Sequence, residues 1–97
     1  MKYLKLFESN RMPKRCSQEE ATDKLNSFKR EKLSENEIKW ICSKFSDIKL
    51  AKSSIYIKDN ILINKLCDSW FIIFTEHDAE YYIADEFIEV QNFLQSI

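Results

Sequence analysis

His77 is the only histidine in this 97-residue chain, and it stands between Glu76 and Asp78. An imidazole beside carboxylates is the arrangement of a general base or a metal ligand. These three residues are consecutive, however, at a predicted hairpin tip. They point in different directions into water, so the triplet reads as a solvated turn. The three cysteines, Cys16, Cys42 and Cys67, lie 26 and 25 residues apart and form no CxxC. With no second His or Cys at ligand spacing, a zinc site is not expected. Cys67 could act as a nucleophile only with His77 beside it, and a predicted strand separates the two. An odd number of scattered cysteines reads as reduced, partly buried thiols rather than a disulfide framework. The chain also lacks glycine altogether. A P-loop, a Rossmann fingerprint or a glycine-rich phosphate cradle needs backbone at positive φ or close to phosphate, so none is available. The expectation is therefore no enzyme, no cofactor and no metal.

Binding is the remaining kind of function, and charge is its clearest signal. Residues 1–16 carry Lys2, Lys5, Arg11, Lys14 and Arg15 against Glu8, within an overall net charge of −1. From Ser69 to Ile97 there is no Lys or Arg, while Glu76, Asp78, Glu80, Asp85, Glu86 and Glu89 are all acidic. Such asymmetry implies either an electrostatically directed partner or two chain ends that meet each other. Trp40 adds an aromatic candidate. It lies about 200° round its predicted helix from the apolar stripe, among Ser43, Lys44 and Asp47. Tyr81, in the same acidic stretch, is a second candidate anchor. Trp40, Tyr81 and the six acids form the predicted partner-binding set, with acids steering association and desolvated aromatics holding the complex.

The elements that must position these residues follow from pattern and caps. At 44% hydrophobic and 32% charged, the chain reads as folded rather than disordered. Its length suits one domain, residues 1–97. No apolar run nears the roughly 20 residues of a membrane span, and no signal peptide is visible; the expected location is the cytoplasm. Pro13 separates an N-terminal arm, 1–16, from a helical hairpin over 17–49. Ser17-Gln18-Glu19-Glu20 and Ser34-Glu35-Asn36-Glu37 both fit the capping box. Ala21, Leu25 and Phe28 line the first helix, about 17–31. Ile38, Ile41, Cys42, Phe45 and Ile48 line the second, about 34–49. From Ser54 the period changes to two, predicting strands at 54–58, 61–66, 70–76 and 80–84 with short turns. A last helix over 85–97 presents Phe87, Val90, Leu94 and Ile97. The predicted fold is α+β: N-terminal helical hairpin, four-stranded antiparallel meander over 54–84, C-terminal helix. Two-residue turns would place Ile55, Ile57, Leu62, Leu66, Phe71, Ile73, Tyr82 and Ala84 on one face. The other would carry Tyr56, Ile61, Ile63, Trp70, Ile72, Phe74, Tyr81 and Ile83. Both faces are apolar, so either helices cover both or one is an interface.

The opening "MKYLKLFE", the helix "LSENEIKWICSKFSDI" and the closing "YYIADEFIEVQNFL" resemble small bacteriophage proteins in style. That resemblance implies a viral inhibitor of host defence, of the anti-CRISPR kind, acting in the host cell. Such proteins occupy the basic nucleic-acid site of a host protein or ribonucleoprotein, or block its assembly. Two alternatives stand beside it: a nucleic-acid-binding accessory protein using the basic arm and first helix, and a ligand-sequestering oligomer. A homodimer is compatible with the apolar faces, and direct nucleic-acid binding lacks a recognition motif.

Overall fold

The computed structural model describes residues 11–58 and 60–96. The α+β class holds, but the hairpin-and-meander architecture does not. The sheet has six strands: β1 (Lys14–Cys16), β2 (Ile48–Leu50), β3 (Ser54–Ile57), β4 (Ile61–Lys65), β5 (Phe71–Thr75) and β6 (Glu80–Ala84). Their spatial order is β1-β6-β5-β4-β3-β2, with every neighbouring pair antiparallel. Among the described residues three helices accompany them: α1 (Gln18–Ser27), α2 (Glu35–Lys44) and α3 (Phe87–Ser96). Of the predicted N-terminal arm, residues 1–10 lie outside the described residues, as does Ile97 of the last helix.

The helical hairpin fails because α1 and α2 belong to opposite faces of the sheet. Ala21 of α1 packs with Leu66 and Ile72, joined by Leu25, Phe28, Trp70, Tyr81 and Ile83. Ile41 of α2 packs instead with Ile55, Ile57, Phe71 and Ile73, and with Val90, Phe93 and Leu94 of α3. Between the two helices the chain passes the end of β4. Glu31 N donates to Lys65 O at 2.9 Å and Cys67 N to Lys29 O at 2.8 Å. Backbone hydrogen bonds therefore carry the chain from one side of the sheet to the other.

Both helices are also shorter than their apolar spacing suggested. Phe28 and Phe45 are extended C-caps, each with its N–H bonded to the carbonyl four residues earlier. Ile48, counted in the helical stripe, is the first residue of β2. At the N-termini the predicted capping box forms in full at Ser34 and in half at Ser17. Ser34 and Glu37 make the reciprocal box, while at Ser17 the hydroxyl accepts from Glu20 N at 3.1 Å.

One strand is turned over relative to expectation. Ile57 pairs with Ile61 across a three-residue loop, and Lys65 pairs with Phe71 across five residues. Two-residue turns were expected at both joints. An odd connection shifts the side-chain phase by one, and two of them flank β4. Hence β4 alone is flipped: Ile61 and Ile63 join the first face, while Leu62 and Leu66 join the second. With no glycine to use, the turns place Lys58 (φ 54°), Asp68 (φ 63°) and Ala79 (φ 53°) in the left-handed region. For residues with a Cβ this costs roughly 1–2 kcal/mol each.

Candidate functional site

Half of the predicted acidic set is neutralised within the chain. Arg11 forms ion pairs with Glu86 and Glu89, the latter at 2.9 Å. Glu89 is 5% exposed, so its carboxylate belongs to the packed underside of α3 and not to a steering surface. Asn92 Nδ2 adds a 2.6 Å hydrogen bond to Arg11 O. The hydrogen bond to Glu86 is the largest influence holding the Arg11 guanidinium above its already high ordinary pKa. Arg15, on β1, reaches Glu80 at 3.3 Å, and Tyr82 donates its hydroxyl to the same carboxylate. That bond, with burial second, raises the Tyr82 pKa. Thus the basic N-terminal segment and the acidic C-terminal third meet each other, strand β1 lying along β6. Asp85 is exposed just before α3.

Trp40 is drawn inward. Its ring meets Phe87 of α3 edge-on, with centroids 6.1 Å apart and planes at 85°, and it packs against the first core. The helical wheel placed it away from the α2 stripe, yet it packs with that stripe's Ile38 and Ile41 on the first core, with Phe87 of α3 as its aromatic neighbour.

The remaining members of the set do come together. Glu76 and Asp78 sit in the β5–β6 connection, and Tyr81 follows on β6. Tyr81 belongs to a cross-strand row on the second face: Lys49, Tyr56, Leu62, Phe74, Tyr81 and Cys16, one residue from each strand in register. Tyr56, Leu62, Phe74 and Tyr81 are all half-buried. The rings of Phe74 and Tyr81 lie 4.6 Å apart, and Tyr56 donates its hydroxyl to Glu76. α1 contacts β6 and covers the Leu66–Ile72 end of this face. Tyr56, Leu62 and Phe74 belong to neither core cluster. At the far end of the row, burial with a smaller push from Glu20 raises the Cys16 thiol pKa. An aromatic strip with the Glu76 carboxylate at its edge is the result. Period-two reading found Tyr56, Phe74 and Tyr81 on one face. Leu62 was hidden by the flipped strand, because Asp59-Asn60 and Asp68-Ser69 signal turns without revealing that the connections have odd lengths.

The predicted turn residue His77 is exposed, its N–H donating to Asn60 Oδ1 at 2.9 Å. It stands at the opposite end of β5 from Cys67. Among the described residues, no group of three His, Cys, Asp or Glu side chains could hold a metal ion. No helix among them is long and apolar enough to cross a membrane. No known protein family, curated protein or solved structure matches the chain.

Proposed function

We propose that this protein acts without catalysis, by docking the strip Tyr56–Leu62–Phe74–Tyr81 onto the basic surface of a macromolecular partner. The observation that carries this reading is the half-buried row of apolar side chains on a sheet face that, among the described residues, α1 covers only in part. Aromatics in a contiguous, partly accessible patch mark interaction sites, and Glu76, which accepts from Tyr56 at the edge of the strip, favours a positively charged partner. The resemblance to bacteriophage proteins suggests the class of that partner. It would be a host defence nuclease or complex, engaged at its nucleic-acid-binding surface inside the host cell. The rival use of the basic arm for nucleic acid has less support. Arg11 and Arg15 are held by carboxylates, and Lys24 lies 4.0 Å over the Trp70 ring.

Affinity capture from host lysate tests the proposal when run with three chains in parallel. The wild-type chain should retain a partner that Phe74→Ala loses. Glu76→Lys combined with Asp78→Lys should retain it weakly, with reduced sensitivity to salt. The same partner held equally by all three, or none held by the wild type, would overturn the reading.

A further inference from the structure

A group of lysines lies at the other edge of the sheet, beside the edge strand β2 and a pocket. β2 is the last strand in the sheet order and, among the described residues, pairs only with β3. Lys58 N donates to Asp47 O at 2.8 Å and Ala51 N to Ser54 O at 3.0 Å. In an antiparallel ladder the bonded residues alternate, so Asp47, Lys49 and Ala51 face β3. The N–H and C=O groups of Ile48 and Leu50 face away from the sheet. Leu50 is 56% exposed, although its partner in register, Ile55, is fully buried.

A pocket of about 230 Å³ lies on the same side of the sheet, lined by Phe45, Ile57, Lys58, Asn60 and Ile61. That is below the roughly 300 Å³ at which small-molecule sites begin, and it suits one aliphatic or aromatic side chain. Lys58 Nζ lies over the Phe45 ring at 5.5 Å. From Lys44 to Asn60 the sequence holds four lysines against Asp47 and Asp59. Among the described residues no ion pair holds Lys44, Lys52 or Lys58, whereas Arg11 and Arg15 near the opposite edge are both paired.

We infer that the β2 edge is a second docking surface, which takes an extended acidic segment of a partner as an added strand. Backbone groups of Ile48 and Leu50 supply the pairing, the Phe45 pocket accepts one apolar side chain, and the lysines select carboxylates. A second copy of this chain is the competing occupant, and dependence of the shifts on protein concentration reveals it.

The probe is an acetylated hexapeptide alternating glutamate and leucine, titrated against the isotope-labelled chain by amide NMR. A peptide alternating lysine and leucine is the control. The acidic peptide should give saturable shifts at Ile48, Leu50, Ile57 and Ile61, weakened by salt, and the control should give none. Leu50→Pro removes an outward N–H and should abolish binding while the melting temperature holds. Lys52→Glu with Lys58→Glu leaves the strand intact and should weaken binding by about tenfold or more. This pair decides the matter if the proline variant misfolds. Equal binding of both peptides, shifts centred on Tyr56 and Phe74, or shifts that follow protein concentration alone would each overturn the inference.

Discussion

The two faces of the sheet carry similar apolar residues and meet different fates. On the first, α2 and α3 together close over Ile55, Ile57, Ile61, Ile63, Phe71 and Ile73, each 3% exposed or less. On the second, the ten-residue α1 closes over Leu66 and Ile72, and the row from Tyr56 to Tyr81 stays half-buried. An apolar period on both faces of a strand thus records only that neither face is meant for water. Whether a face is filled by the chain's own helices or left for a partner depends on which side each helix takes. Here that choice is made in the short passage past Lys65 and Leu66.

The difference can be broken most sharply by matched truncations on neighbouring residues of β5. Phe71→Ala and Ile73→Ala, on the first face, should each cost about 2–5 kcal/mol in urea unfolding. Ile41→Ala, beneath the same face, belongs in that range. Phe74→Ala, on the second, should cost about 1 kcal/mol, because a half-buried ring surrenders only part of its transfer free energy. Equal losses at positions 73 and 74 would mean that the second face is as closed as the first. A smaller change, of opposite sign, is expected at the turn beside the strip. Ala79→Gly should stabilise the fold by about 1 kcal/mol, since glycine enters the left-handed region without a Cβ clash. A destabilised glycine variant would show that Ala79 is not held there.

The smallest effect concerns Tyr82, which packs on Phe93 of the first face at 4.9 Å. Its pKa is raised, so the folded chain holds the phenolic proton more tightly than the unfolded chain does. The resulting stability is complete below the ordinary tyrosine value of about 10 and is lost as pH climbs beyond it toward the folded value. Tyr82→Phe should therefore flatten the alkaline limb of the stability curve and leave the neutral region's pH dependence unchanged. An alkaline limb as steep as that of the wild type would remove the Glu80 hydrogen bond from the account.

Much of this was legible from residue pattern, and the misses share a cause. Ser34 and Glu37 announced the start of α2, and Ile41 its buried side. Nothing announced where α1 and α2 stop. A chain without glycine and with Pro13 as its single proline lacks the residues that mark helix ends. Phe28 and Phe45 continue the helical spacing and yet are caps. The same lack hid the odd loops around β4, because Lys58 and Asp68 occupy positions where glycine or asparagine would have signalled a turn. β1 and β2, three residues each, are too short to show a period. As for the site, the sequence pointed to Glu76 and Tyr81, which lie near the strip through Tyr56 and Phe74. Glu89 looked like surface charge because its partner, Arg11, is 78 positions away in sequence.

The central claim is that the open half of the second face is where a partner sits. Hydroxyl-radical footprinting of the captured complex, compared with the free chain, tests it residue by residue. Labelling of Tyr56, Leu62, Phe74 and Tyr81 should fall together on complex formation, while Trp40 and Met12 label as they do in the free chain. Unchanged labelling of the four, with protection appearing instead at Trp40 or along α3, would contradict it.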